Sequence, residues 1–115
     1  MADILIVTKK ISKEELRQLA KKGFGDLVKA VVDINRGVMA IGGELHADEE
    51  ALLLKEGSKQ QDLWVINLYP DEPEDKWIEF DSVINIRPSQ GNRSRNVGNP
   101  AIQEKIIDII NKLVK

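Results

Sequence analysis

Short apolar runs of strand type alternate along this chain with segments that carry helix-start signals, and this alternation limits the fold more than any other feature. The runs are rich in β-branched or aromatic residues, as strands are. They cover residues 3–8, 27–34, 38–46, 63–69 and 77–86. The first contains four adjacent apolar residues, Ile4-Leu5-Ile6-Val7, which predicts a strand that is buried on both faces at the centre of a sheet.

Three helices are predicted from their N-terminal signals. Ser12, followed three residues later by Glu15, forms a capping box. Asp48 is expected to cap the second helix, and Asn99 with Pro100 marks the start of the third. The elements are therefore expected to follow one another in the order βαββαββα.

This order predicts an α+β protein in which three helices pack on a single five-stranded mixed sheet. A length of 115 residues is close to the commonest domain size. No segment is rich enough in Gly, Pro or Ser to separate two units, so residues 1–115 are expected to form one globular domain.

The composition excludes several kinds of site. The chain has no cysteine and a single histidine, His46, so neither a disulfide nor a thiolate or multi-histidine metal site can form within it. We therefore expect no metal and no cofactor. No run approaches the roughly 20 apolar residues that span a bilayer, and the first residues lack the basic leader of a signal peptide. We expect a cytoplasmic protein that does not enter a membrane.

The strongest candidate for a binding site is the arginine loop, which we define as residues 87–96. It contains three arginines and no acid, whereas the other cations of the chain are mostly lysine. A guanidinium group presents a planar fork that matches phosphate or carboxylate oxygens. We expect Arg87, Arg93 and Arg95 to bind such an anion, with Gln90 and Asn92 adding hydrogen bonds.

A strand through residues 77–86 would add Asn85 to this predicted set of ligands. Alternate residues of a strand face the same side of the sheet. Asn85 and Arg87 would therefore share one face beside the arginine loop.

Two interpretations of the arginine loop stay open. In the first, the loop binds a phosphate group, a nucleotide or single-stranded RNA. In the second, it folds back onto residues 71–81, which hold six acids and one base, and its arginines form surface ion pairs of little energetic value. The net charge of −2 argues against general coating of nucleic acid but is compatible with a local basic site.

A small enzyme is an alternative interpretation, with His46 and Glu44 as the candidate catalytic residues. One residue separates them, and a carboxylate beside an imidazole raises its pKa, which suits acid–base chemistry near neutral pH. The chain lacks the motifs of serine hydrolases, zinc proteases and phosphate-binding glycine loops. A structural role for His46 stays open beside the catalytic one.

A third interpretation is an interaction module. The acidic segment 71–81 or an exposed strand edge would then bind a protein partner or a second copy of the chain. The sequence identifies neither the partner nor the oligomeric state.

Two stretches of the chain resemble a known family. They are GGELHADEEALLLKEGSKQQDLWVINLYP, residues 42–70, and FDSVINIRPSQGNRSRNV, residues 80–97. Both are similar to a small prokaryotic family that is described only as a domain of unknown function, and the similarity covers most of the chain from residue 27 onward. The resemblance implies no particular fold, activity or catalytic residue.

Overall fold

The structure, a computed structural model, describes residues 4–114 of the chain. Within that range the strands are β1 (Leu5–Val7), β2 (Val28–Asp33), β3 (Val38–Ile41), β4 (Leu63–Leu68) and β5 (Ile78–Glu79). The α-helices are α1 (Lys13–Lys22), α2 (His46–Lys55) and α3 (Pro100–Leu113). Single turns of 3₁₀ helix lie at Gln60–Asp62, Val83–Asn85 and Pro88–Gln90.

The hairpin between β2 and β3 is fixed by the side chain of Asp33, which is fully buried. Its Oδ1 accepts hydrogen bonds of 2.9 Å from the backbone N–H groups of Asn35 and Arg36. Gly37 closes the turn at a φ of +71°, a conformation that glycine adopts without steric strain. Ser58, which follows α2, donates a hydrogen bond of 2.6 Å to the second carboxylate oxygen of Asp33 and ties the end of α2 to this turn.

The five strands form one sheet in the order β1-β3-β2-β4-β5, and every pairing between them is antiparallel. An α+β fold with one five-stranded sheet and three helices is therefore confirmed, but the prediction of a mixed sheet is wrong. The reason is that α1 joins two strands with β3 lying between them, and α2 joins two strands with β2 lying between them. Each helical connection links parallel strands that are not neighbours. The three 3₁₀ turns are additions to the expected element order.

β1 lies at an edge of the sheet, not at its centre as predicted. Its apolar run is explained by helices on both faces of the sheet. Ile4 and Ile6 pack against the core on the face that carries α2, and Val7 packs into the core on the opposite face. Burial on two faces therefore does not require a central strand.

The predicted fifth strand ends at Glu79, seven residues earlier than expected. Ser82 instead caps a 3₁₀ turn, and its Oγ accepts a hydrogen bond of 3.2 Å from the backbone N–H of Ile84. Asn85 and Arg87 consequently do not alternate along a strand. The second helix also begins two residues before the predicted cap Asp48, at His46.

The helices divide between the two faces of the sheet. Leu16 and Ala20 of α1 and the apolar face of α3 bury the larger core, which includes the strand residues Trp64 and Ile66. Leu53 of α2 buries a smaller core on the other face. In the range 4–114, no helix is both long enough and apolar enough to cross a membrane.

Gly43 lets α2 approach the sheet closely. A Cβ atom at this position would lie 2.9 Å from Cγ of Glu49 and 3.3 Å from Cγ1 of Ile4. Glu49 is fully buried, and its Oε2 accepts a hydrogen bond of 2.9 Å from the backbone N–H of Gly43. The backbone before α2 and the first turns of that helix therefore fit together only with glycine at position 43.

We expect Gly43→Ala to lower the free energy of unfolding by about 1–3 kcal/mol, because the added methyl group overpacks this contact. Urea unfolding measures the loss. In the background of Glu49→Ala the same substitution should cost less, since the atom that it meets is gone. Equal costs in the two backgrounds would contradict this account of Gly43.

Candidate functional site

The outer edge of β4 is completed by a side chain. β5 pairs only with Asn67 and Leu68, and further along the edge Asn85 takes the place of a neighbouring strand. Its Oδ1 accepts a hydrogen bond of 3.0 Å from the Val65 N–H, and its Nδ2 donates one of 2.8 Å to the Val65 carbonyl. Asn85 is 0% exposed, so its amide group is not available to a ligand and instead completes the hydrogen bonding at the edge of the sheet.

Asn92 holds the arginine loop closed. Its Nδ2 donates to the carbonyl oxygens of Asn85, Ser94 and Asn96 at distances of 2.6, 3.1 and 2.8 Å. Its Oδ1 accepts a hydrogen bond of 2.9 Å from the backbone N–H of Gly98. Both polar atoms of this buried side chain therefore have partners within residues 85–98.

Arg87 faces inward and is only 9% exposed. Its Nη1 donates to the Gln60 carbonyl at 2.9 Å, and its Nε donates to the Ile84 carbonyl at 3.2 Å. The guanidinium group lies 5.0 Å from the centre of the Trp64 ring and pairs with Glu50 at 3.5 Å. Arg87 thus joins the arginine loop to α2 and β4.

The remaining members of the predicted set lie at the surface. Arg95 forms a bidentate ion pair with Asp81, with an Nε–Oδ1 distance of 2.7 Å and an Nη2–Oδ2 distance of 3.4 Å. The hydrogen bond from Arg95 lowers the pKa of the Asp81 carboxyl. Gln90 donates to the Gln61 carbonyl at 3.0 Å. Arg93 is exposed and makes no salt bridge to any residue in 4–114.

His46 does not lie on a strand with Glu44, because β3 ends at Ile41 and His46 opens α2. Its half-buried ring instead reaches β4, where Nε2 lies 2.9 Å from Oδ1 of Asn67 and 3.1 Å from the carbonyl of Ile66. Burial lowers the pKa of His46 below its usual value, against the effect of the backbone hydrogen bond. Glu44 is exposed.

Only part of the arginine loop comes near His46. Arg87 and Gln90 bind the carbonyls of Gln60 and Gln61, which precede the start of β4. Asn67 lies near the other end of this strand, about 13 Å beyond its first residue at 3.3 Å per residue. Arg95 is closer, because the Asp81 that it holds accepts a hydrogen bond of 3.3 Å from Asn67 through its carbonyl. Arg95 of the arginine loop is thus linked to His46 indirectly, through Asp81 and Asn67.

A cleft of about 440 Å³ opens beside this end of the sheet. It lies between the C-terminal end of α1, the start of β2 and the connection from β3 to α2, and we call it the lysine cleft. Its apolar wall and its charged groups are supplied by Leu19, Phe24, Leu27, Leu45, Lys22, Lys29 and Glu44.

The apolar wall of the lysine cleft is open to solvent. Phe24 is 49% exposed and Leu45 is 56% exposed. Nζ of Lys29 lies 4.7 Å from the centre of the Phe24 ring. In the sheet register Lys29 stands directly opposite Asn67, so one residue of the cleft lining neighbours the strand residue that contacts His46.

Glu49 lies behind the cleft wall, under Gly43. Burial raises the pKa of its carboxyl to about 9, so the side chain is neutral at pH 7. Its Oε1 has no hydrogen-bond partner among the described residues. In the range 4–114, no group of three His, Asp or Glu side chains is placed to hold a metal ion.

Sequence reasoning missed Lys29 and Glu49 for different reasons. Glu49 falls in the first turn of α2, where an acid is already explained by the helix dipole. Its spacing of four residues from the buried Leu53 was the signal that it lies on the inner face. Lys29 interrupts an apolar strand run, which is a visible signal, but nothing local indicates that it borders a cleft.

Comparison with known proteins gives one family match. A family model described as a protein of unknown function covers residues 5–113 of the chain. No curated protein and no solved structure matches the chain.

Asn85→Ala should lower the free energy of unfolding by about 2–4 kcal/mol, because the backbone N–H and carbonyl of Val65 would lose their partners in a buried position. Urea unfolding compares this variant with Asn96→Ala. Asn96 has the same side chain in the same loop but is exposed, so its substitution should change stability by less than about 0.5 kcal/mol. Similar losses in both variants would contradict the assigned role of Asn85.

Stability should also depend on pH through Glu49. Its carboxyl has a pKa of about 9 when folded and the ordinary value of 4.5 when unfolded, so the folded state binds the extra proton between these values. This contribution to stability is complete at low pH and is lost toward pH 9, at up to about 1.4 kcal/mol per pH unit.

The neutral variant Glu49→Gln removes this linkage, and we expect its stability to fall less steeply than that of the wild type between pH 5 and about 9. Urea unfolding at several pH values measures both slopes. The exposed Glu104→Gln serves as the control and should follow the wild type. Parallel curves for wild type and Glu49→Gln would show that Glu49 is not protonated in the folded state.

Proposed function

The chain belongs to DUF5674, a family of proteins of unknown function, and we propose that it is a binding module for a small organic anion with an apolar body. The lysine cleft is the proposed site. The observation that carries the proposal is the joint presence there of an exposed apolar wall and two lysines, Lys22 and Lys29. Small-molecule sites commonly combine apolar lining with a few charged groups that fix orientation.

The lysines favour an anionic group on the ligand. Neither Lys22 nor Lys29 forms a salt bridge with another residue in the part of the chain that the structure describes. Glu44 lines the same cleft, so the cleft carries an excess of one positive charge. A carboxylate or phosphate placed between the lysines would gain charge-assisted hydrogen bonds without breaking an existing ion pair.

The apolar wall favours a flat or compact apolar body. Phe24 and Leu45 present large exposed side chains to one cleft, where an aromatic ring can stack and leave water. The volume of about 440 Å³ lies in the range of sites for single small molecules. A monocyclic aromatic carboxylate therefore suits both the size and the chemistry of the cleft.

The arginine loop is less suited to bind this anion. Arg87 and Asn92 direct their polar atoms to carbonyls of the protein itself, and Arg95 is held by Asp81. At Arg87, Asn92 and Arg95, binding an external anion would first require breaking these contacts, which leaves the exposed Arg93 as a single cation without a second one beside it. We therefore retain the anionic ligand that the sequence suggested and assign it to the lysines.

Phenylpyruvate, an aromatic 2-oxo acid, is a suitable probe. We expect the wild type to bind it and Lys29→Met to bind it ten- to a hundredfold more weakly, because the loss of a hydrogen bond to a charged group costs about 1.5–3 kcal/mol. Isothermal titration calorimetry at low ionic strength measures both dissociation constants.

Two controls separate the site from general attraction to positive charge. Lys105→Met removes an exposed lysine of α3 that lies outside the lysine cleft and should leave the dissociation constant unchanged. Phenylacetone has the same apolar body without the carboxylate and should bind more weakly than phenylpyruvate. If Lys29→Met and Lys105→Met bind phenylpyruvate equally well, or if the wild type does not bind it, the proposed function is wrong.

A further inference from the structure

The charged groups that line the lysine cleft have both signs. Lys22 lies in the last turn of α1, Lys29 on β2 and Glu44 in the connection from β3 to α2. None of the three forms a salt bridge with a residue in 4–114. The ammonium nitrogens therefore lie more than 4.0 Å from the Glu44 carboxylate. The cleft thus contains positive and negative groups that are not paired with each other.

The ammonium group of Lys29 is held beside the apolar wall. Its Nζ lies 4.7 Å from the centre of the Phe24 ring, at the distance of a cation–π contact. The backbone of Lys29 belongs to β2 and pairs with Asn67 of β4, so the residue is fixed from inside the sheet. A positive charge and an exposed aromatic ring therefore lie next to each other in the lysine cleft.

Glu44 opposes the binding of a simple anion. It is exposed and lines the same cleft as the two lysines. A ligand whose only charge is a carboxylate is therefore repelled by Glu44 while it is attracted by the lysines. An ammonium group on the ligand replaces that repulsion with a second attraction. A ligand that carries both charges consequently suits the lysine cleft better than one that carries the carboxylate alone.

The rest of the cleft suits an apolar side chain on such a ligand. Phe24, Leu27 and Leu45 line it, and its volume of about 440 Å³ is that of a site for one small molecule. In an α-amino acid the ammonium group, the carboxylate and the side chain all project from one carbon atom. The two charged groups can then meet the charged residues while the side chain meets the apolar wall.

We propose that the ligand of the lysine cleft is an α-amino acid with a large apolar side chain, an inference that rests on the proposed function. The ligand's carboxylate pairs with Lys29 and its ammonium group pairs with Glu44. Its side chain lies against Phe24 and Leu45. No covalent bond is made or broken, so the amino acid is bound and released unchanged.

This assignment couples each charged residue to one group of the ligand. Removing Glu44 and removing the ammonium group delete the same interaction, so the second deletion should cost nothing once the first has been made. The same holds for Lys29 and the carboxylate. Such coupling would not arise if the ligand were attracted only by the general charge of the surface.

The test of Glu44 compares L-phenylalanine with 3-phenylpropionate, which lacks only the ammonium group. Isothermal titration calorimetry at pH 7 and low ionic strength measures the dissociation constants. The wild type should bind L-phenylalanine about three- to tenfold more tightly, as expected for an exposed ion pair. In Glu44→Gln this preference should disappear. Glu104→Gln removes an exposed acid of α3 outside the cleft and should keep the wild-type preference.

The test of Lys29 uses phenethylamine, which has the ammonium group and the aromatic ring of phenylalanine but no carboxylate. Lys29→Met should weaken the binding of L-phenylalanine and should not weaken the binding of phenethylamine. Lys105→Met should change neither dissociation constant. If Lys29→Met weakens both ligands to the same extent, Lys29 is not the partner of the carboxylate and the proposal is wrong.

The outcomes separate this inference from the proposed function. If the wild type binds 3-phenylpropionate as tightly as L-phenylalanine, or if Glu44→Gln keeps the preference for L-phenylalanine, the amino-acid assignment is wrong. Binding of phenylpyruvate that depends on Lys29 would then still support the proposed function. If the wild type binds neither phenylpyruvate nor L-phenylalanine, both proposals are wrong.

Discussion

The pair of hydrogen bonds between the Asn85 side chain and the backbone of Val65 determines the arrangement of the second half of the molecule. β5 is only two residues long, so most of the outer edge of β4 has no strand beside it. An unpaired buried peptide group is costly, and the Asn85 amide supplies both the donor and the acceptor that a strand would supply. With Asn85 in place, Asn92 can bind its carbonyl and organise residues 92–98, and Arg87 can reach Gln60.

Asparagine has a comparable role at the other end of β4, where it joins different elements. Asn67 connects the first residue of α2 to β5 and to the segment after β5 through one amide. The two asparagines thus join β4 to β5 and to the segment that follows β5. The amide of Asn85 bonds only to backbone groups, whereas the amide of Asn67 bonds to the side chains of His46 and Glu79.

Local signals in the sequence were sufficient for the type of the strands and α-helices, but not for the early end of β5 or for the arrangement of the strands in the sheet. Ser12 and Asn99 cap α1 and α3 as their spacing predicts. The antiparallel sheet could not be predicted from such signals, because the choice of neighbouring strand depends on contacts far apart in the chain. For the same reason the sequence could not show that Arg87 points at Trp64 and Gln60. An arginine in a polar loop has the same local signature whether it faces solvent or the interior.

The buried carboxyl group of Glu49 changes the charge of the folded protein. The formal net charge of −2 counts every Asp and Glu as ionised, whereas Glu49 carries a proton at pH 7 when folded. The native molecule therefore has a net charge of −1 on the same basis, and unfolding at that pH releases one proton to the solvent. At pH 7 the native electrophoretic mobility consequently reflects one negative charge fewer than the composition implies.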